Sequence, residues 1–220
     1  MRTIKFIFLF VSFNLFLFQL SAQSSFGFKG GYTDAWPDYG DVELPENAET
    51  HVKGFNFSIL YAYQISNNFK VGIEPGFVQR GAACFPGWQP DFVGDTKVFL
   101  NYLEAPLMLS GQVAIPKTNF NVFGKIGFGA SYLLSAKEEI SPAANIEFPV
   151  ERRKLDLENE PLRRFDYGAY SSLGFAYSLN SIFELFLEST FYYGLPNFEE
   201  NNTGKNRSLS FNLGFNYKFL

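Results

Sequence analysis

The closing segment of the chain, residues 208–219, alternates apolar and polar side chains without a break. Successive side chains of a β-strand point to opposite sides, so this period of two predicts a strand with one apolar face. The apolar positions are Leu209, Phe211, Leu213, Phe215, Tyr217 and Phe219. An aromatic-rich amphipathic strand at the C-terminus of an exported chain is typical of a transmembrane β-barrel.

The other end of the chain indicates export. Residues 1–22 are organised like a secretory signal peptide, because Arg2 and Lys5 precede an apolar stretch over 6–20 and small residues follow it. A membrane anchor is the alternative, but the stretch is short for a spanning helix and two polar residues interrupt it. We therefore expect a cleaved signal peptide followed by one domain over 23–220.

Composition and charge limit the function. The chain has 18 basic and 22 acidic residues, and loss of two basic residues with the signal peptide would leave a net charge of −6 (16 − 22). This charge argues against nucleic acid as a partner. The single Cys84 cannot form an internal disulfide, and with the single His51 it gives no zinc-site spacing. We predict no cofactor, no metal and no catalytic residue.

The chain divides into eight periodic segments joined by connections that alternate in length. We predict strands at 26–33, 53–64, 69–80, 98–110, 119–134, 164–179, 182–193 and 208–219. Four connections are long, at 34–52, 81–97, 135–163 and 194–207, and three between them are short. Bacterial outer-membrane barrels have an even number of strands, short periplasmic turns and long extracellular loops. The pattern predicts an all-β, eight-stranded antiparallel up-and-down transmembrane barrel with periplasmic termini.

The polar face of these strands indicates which side is enclosed. A soluble barrel of the lipocalin type would place its apolar face inward. Here the polar face is rich in glycine and carries equal numbers of positive and negative charges, which suits a narrow lumen whose charges need partners. The predicted lumen charge network comprises Lys70, Glu74, Arg80, Glu104, Lys125, Asp166, Glu184 and Glu188, with Lys29 and Lys218 on the same face. Pro75 and Pro106 fall within strands, where we expect bulges or bends.

Several segments resemble one known family. The stretch 102–109 reads Tyr-Leu-Glu-Ala-Pro-Leu-Met-Leu and resembles the Tyr-Leu-Glu-Ile-Pro-Leu-Leu-Leu segment of the PorT-like outer-membrane β-barrel family of Bacteroidetes-type bacteria. The stretches 192–197, 166–168 and 213–219 are similar to further segments of that family, although Ala105 and the 135–163 loop depart from it. The resemblance implies an outer-membrane location and an eight-stranded barrel. It implies no agreed biochemical activity, although some relatives take part in protein secretion.

Few residues could carry chemistry. The single histidine, His51, falls among acidic residues in the first loop, and we expect its side chain to be solvated. Glu184 and Glu188 lie two steps apart on one face and could form an acid–base pair, but membership of the lumen network is favoured. The loops are therefore the expected functional surface. Aromatic candidates for partner contact are Trp36 and Tyr39 in the first loop and Phe85, Trp88 and Phe92 in the second.

The sequence supports three hypotheses. The first is a non-enzymatic outer-membrane barrel with a structural or interaction role, accessory to an envelope or secretion complex. Its partners would be outer-membrane lipid, lipopolysaccharide and envelope or secretion proteins. The second is a small pore or transport barrel, and the third is a membrane-embedded enzyme. For the second loop, covering of the barrel mouth is an alternative to partner contact. The third loop is expected to form an extra hairpin or helix above the membrane.

Overall fold

The computed structural model describes residues 23–40, 51–83, 94–142, 149–198 and 204–219. The strands in these segments are β1 (Ser24–Asp38), β2 (Val52–Gln64), β3 (Phe69–Ile73), β4 (Gly76–Ala83), β5 (Gly94–Ala114), β6 (Phe120–Pro142), β7 (Glu151–Lys154), β8 (Phe165–Ser178), β9 (Phe183–Asn197) and β10 (Lys205–Lys218). A helix with the length and hydropathy needed to cross a membrane is absent from these segments.

The strands close into a ring. β1 pairs with both β2 and β10, so the first and last strands of the chain meet. β3 and β4 are two halves of one ring position, since both lie between β2 and β5. Among the strands described here, β7 pairs only with the far part of β6 and stands outside the ring. The prediction of an eight-stranded antiparallel up-and-down barrel is confirmed, and ring closure leaves no long unpaired edge.

The period of two sets which side chains face outward. Burial alternates residue by residue along β8, and β2 and β10 follow the same rule. Large apolar side chains point outward and are exposed, as in Phe57 at 49%, Leu107 at 61% and Leu213 at 62%. Polar and charged side chains point inward and are buried. This is the reverse of a soluble barrel, and it suits a barrel whose outer wall faces lipid.

The two strand prolines behave differently. Between β3 and β4 the ladder is interrupted at Glu74 and Pro75, as expected for a residue without a backbone donor. At Pro106 the expected bulge is absent, because β5 continues and pairs Pro106 with Gly129 in regular register. The reason is geometric. The Pro106 carbonyl accepts from the Glu74 amide at 3.0 Å, so the missing donor of Pro106 also faces the β3–β4 interruption.

The bulge lies elsewhere, between β5 and β6. Asn101 and Tyr102 are adjacent on β5, but their partners on β6 are two residues apart, which leaves Leu134 as the extra residue. A bulge of this kind reverses the inward–outward alternation of the strand beyond it. Accordingly Glu138 is buried and Lys137 is exposed, although simple alternation from the inward-facing part of β6 would send Lys137 into the lumen.

The two ends of the barrel differ. The short-turn end carries the connections 65–68, 115–119 and 179–182 together with both ends of the described chain. The long-loop end carries the other connections, and there β6 and β7 form a hairpin that pairs residues 137–140 with 151–154. The extra hairpin predicted within 135–163 is therefore confirmed.

Candidate functional site: the lumen of the barrel

The middle of the lumen is closed by four alternating charges. Lys29 on β1 donates to Glu74 at 2.7 Å and also to Glu188 on β9. Lys125 on β6 donates to Glu74 at 2.7 Å, and its ammonium nitrogen lies 2.5 Å from Glu188 Oε2 as an ion pair. We call these four residues the charge ring. They come from opposite walls of the barrel, and two cations against two carboxylates make the ring neutral, as buried charges require.

A second cluster lies nearer the long-loop end and is centred on Arg80. Its guanidinium forms an ion pair with Glu104 and lies 3.8 Å from the centre of the Tyr192 ring. Tyr170 donates its hydroxyl hydrogen to Glu104 at 2.9 Å, and Arg80 donates to the Ser131 hydroxyl at 3.3 Å. The arginine is almost fully buried, so these contacts replace the water that the guanidinium would otherwise bind.

Asp166 lies in the lumen but is bound by an amide. Its Oδ2 accepts from Asn206 Nδ2 at 2.7 Å, and the same amide group donates to the Tyr102 hydroxyl at 3.2 Å. The sequence prediction placed Asp166 in the charge network and did not name Asn206. The sequence contained a signal for Asn206, because the alternation of the closing strand, continued back from Ser208, places Asn206 on the inward face. The strand does begin at Lys205, three residues before the predicted start.

A further ion pair closes the short-turn end. Lys218 donates to Glu184 at 2.8 Å, and Asn216 donates to the other oxygen of Glu184 at 3.4 Å. Lys70 lines a cavity of about 60 Å³ beside them. Glu184 and Glu188 are held by different lysines, so the structure does not bring this pair together as a shared acid–base site.

The mouth at the long-loop end is covered by an apolar cluster, here called the cap. Residues from three connections fold over the opening, and the barrel contributes inward-facing residues of β4, β5 and β6. The cap comprises Tyr39, Leu155, Leu162 and Phe198 packed on Val78, Ala82, Val98, Leu100, Tyr102, Leu133 and Ala136. Tyr39 is only 5% exposed, which corrects its assignment to an exposed interaction surface. Its ring turns over the mouth because this apolar cluster removes it from water.

His51 is held against β1 and is not a free loop side chain. Its Nδ1 lies 3.0 Å from Asp34 Oδ1, and its ring stacks on Trp36 with 5.1 Å between ring centres. Trp36 also belongs to β1, so it is a strand residue and not a loop residue as predicted. A His–Asp pair needs a nucleophile to do hydrolytic chemistry. Across the described segments no hydroxyl or thiol contacts the remaining nitrogen of His51.

Other candidates cannot be placed. The aromatic residues Phe85, Trp88 and Phe92, the thiol of Cys84 and the predicted signal peptide all lie outside the described residues. Within the described part of the chain, no group of three His, Cys, Asp or Glu side chains is arranged to hold a metal ion.

Comparisons with solved structures return other outer-membrane proteins. Neisserial surface protein A is 14% identical, with 88% of this chain and 97% of that chain covered and a TM-score of 0.46. OprG from Pseudomonas aeruginosa is 16% identical over 91% of this chain and 98% of that chain, with a TM-score of 0.47. Ail of Yersinia pestis, solved with the heparin analogue sucrose octasulfate, is 14% identical over 88% of this chain and 99% of that chain, with a TM-score of 0.41. A search of curated proteins finds no match.

The closed ring, the apolar outer wall and the charged, buried lumen define an integral outer-membrane β-barrel protein. The family model for the outer membrane protein beta-barrel domain matches residues 19–200, which is most of the chain. The chain belongs to this family.

Proposed function

We propose that this protein is a non-enzymatic structural or interaction barrel of the outer membrane, accessory to an envelope or secretion complex. The observation that carries the proposal is the filled lumen. The charge ring, the Arg80 cluster and the Glu184–Lys218 pair lie at successive levels, and the cap covers the mouth. A lumen closed in this way leaves the loops and the outer wall as the working surfaces.

The proposal includes an orientation. The short-turn end and both chain termini lie in the periplasm, and the long loops, including the cap, lie outside the cell. The even strand number and the contrast between short turns and long connections support this orientation. Membership of a PorT-like branch in Bacteroidetes-type bacteria, cleavage after residue 22 and contact with lipopolysaccharide belong to the same proposal.

The alternatives have less support. A small pore would need a continuous wide lumen, whereas the cavity lined by Lys70 at the short-turn end is only about 60 Å³. An enzyme would need more than the exposed His51–Asp34 pair. Replacing His51 by Ala is expected to leave any native activity unchanged, and loss of an activity would revive the enzyme hypothesis.

The test is a pull-down of the tagged protein from gently solubilised outer membranes, followed by mass spectrometry. We expect an envelope or secretion protein in stoichiometric amount. As a control, an unrelated eight-stranded barrel carrying the same tag is purified from the same membranes. A solitary barrel with no partner above that control would contradict the interaction role.

A further inference from the structure

The hairpin of β6 and β7 places two lysines side by side. Lys137 on β6 and Lys154 on β7 are direct cross-strand partners, and both side chains are exposed. Like charges directly opposite each other destabilise a strand pair. Within the described residues neither amine has an ion pair, although the neighbouring Arg152 and Arg153 of the same hairpin are neutralised by Glu139 and Glu138. In this part of the structure the lysine pair is therefore two adjacent positive charges without an ion-pair partner among the described side chains.

The pair faces outward because of the bulge at Leu134. Without that extra residue, the alternation along β6 would turn Lys137 toward the lumen. Bulges often re-aim a side chain in this way. The same reversal sends Glu138 inward to Arg153 and leaves Lys137 on the outer wall.

The height of the pair on the barrel corresponds to lipid headgroups. The lipid-facing apolar wall ends on β6 at Leu134, and Lys137 follows three residues later. Three residues span about 10 Å along a strand, or roughly 8 Å along the membrane normal for a strand tilted by about 40°. The headgroup zone on each side of a bilayer is about 5–8 Å thick. By this geometry Lys137 lies at the outer limit of the headgroup zone.

A polar ladder marks the same boundary. Gln79 donates to Asn101 at 3.0 Å, and Asn101 donates to the Ser135 hydroxyl at 2.9 Å, across the outward faces of β4, β5 and β6. These groups are hydrogen-bonded across the wall next to the lysine pair, and beyond them Phe99 on β5 lies directly opposite Lys137. A lipid with acyl chains and a phosphorylated headgroup matches the order of these surfaces along the barrel, which is apolar wall, polar ladder and paired cations.

We propose that Lys137 and Lys154 form a binding site for the phosphate groups of an outer-leaflet glycolipid such as lipopolysaccharide. Ammonium groups bind phosphate through charge-assisted hydrogen bonds, and a phosphate between the two lysines relieves their mutual repulsion. The site rests on the proposed orientation, in which the long-loop end meets the outer leaflet.

The experiment measures binding of the purified, folded barrel in neutral detergent to lipid A carrying two phosphates and to the dephosphorylated lipid. The double variant Lys137→Ser, Lys154→Ser is expected to bind the phosphorylated lipid about tenfold more weakly or worse, since each cation near an anionic lipid contributes to affinity. The dephosphorylated lipid should not distinguish the variant from the native protein. Arg152→Ser is the matched control, because its charge on the same hairpin is already neutralised by Glu139.

Equal affinity of the native protein and the double variant for the phosphorylated lipid would overturn the proposal. If the double variant does not fold, the single variants Lys137→Gln and Lys154→Gln serve, and each should weaken binding. Inorganic phosphate is the arm for a soluble anion, and displacement of the phosphorylated lipid by an equal concentration of inorganic phosphate would contradict a lipid site. The orientation is tested separately, by protease access to a cleavage site inserted at 149–150 on intact cells, so the two failures can be told apart.

Discussion

Four buried side chains balance the charge at the centre of the lumen. In the charge ring each carboxylate forms ion pairs with two lysines, so removal of one carboxylate leaves both lysines short of a partner. Breaking one side of a buried ion pair is far more costly than breaking an exposed pair, since a desolvated charge is left without compensation.

Glu188→Ala is therefore expected to destabilise the folded barrel by about 3–5 kcal/mol. The matched control is Glu139→Ala, whose ion pair with Arg152 lies on the exposed hairpin and should contribute about 0–1 kcal/mol. Urea unfolding in lipid vesicles, followed by electrophoretic mobility, measures both variants. Similar losses for the two variants would show that the ring is solvated and not buried.

The close approach of β5 and β6 depends on a glycine. A Cβ atom on Gly129 would lie 2.5 Å from the Cα atom of Pro106, and backbone cannot move aside as a flexible side chain can. On the same strand, a Cβ atom on Gly124 would meet nothing nearer than 3.6 Å.

Gly129→Ala should cost about 1–3 kcal/mol of stability, because overpacking forces the backbone to shift. Gly124→Ala should be neutral or slightly stabilising, since it restricts the unfolded chain without a clash. Thermal unfolding of the two variants in the same detergent makes the comparison. A Gly129→Ala protein as stable as Gly124→Ala would contradict the register of Pro106 against Gly129.

At the scale of elements, the cap is a separate layer on the barrel. Leu155 and Leu162 belong to the segment after β7, and they pack over the mouth without belonging to a strand of the ring. Such segments open locally at lower free energy than the strands beneath them.

Leu162→Ala is expected to loosen the cap and leave the barrel folded. Hydrogen exchange should accelerate at backbone amides of 155–162 while amides of β8 stay protected, because the side chain packs on the cap and not in the ring. Val150→Ala is the control, since Val150 lies next to β7 and is half exposed. Uniform acceleration across β8 as well would mean that the cap and barrel unfold as one unit.

The eight strands could be predicted because a period of two is a strong local signal. The predicted ends were short where strands run beyond the lipid-facing wall, as at Lys205 and Gly94. The outward orientation of Lys137 could not be predicted, since the single extra residue Leu134 reverses which of the later side chains of β6 face the lumen. The cap was missed because Leu155 and Leu162 lie in an irregular segment without periodicity.

The lumen charges could be placed on the inward face from alternation alone, but their pairing could not. Which lysine meets which carboxylate depends on strand stagger around the ring, a long-range property that sequence spacing does not contain. Thus Lys29 and Lys125 share Glu74 and Glu188, whereas Asp166 meets an amide. The role of these residues as a functional network stays a prediction.

At the scale of the whole molecule, three sets of ion pairs and the cap block the lumen one after another along the barrel. An ion passing through the barrel would have to break the Glu184–Lys218 pair, the charge ring and the Arg80–Glu104 pair and then displace the cap. Each of these contacts is buried or partly buried, so opening all of them together is costly. The barrel is therefore expected to be a plug in the membrane and not a conduit.

Single-channel recording of the purified protein in a planar lipid bilayer tests this central claim most directly. The account predicts no steady conductance for the native chain across a range of voltages. The Leu162→Ala variant should also stay closed, because the charge ring lies below the cap. Long-lived, reproducible open levels of the native protein would contradict the sealed lumen and favour the small-pore hypothesis.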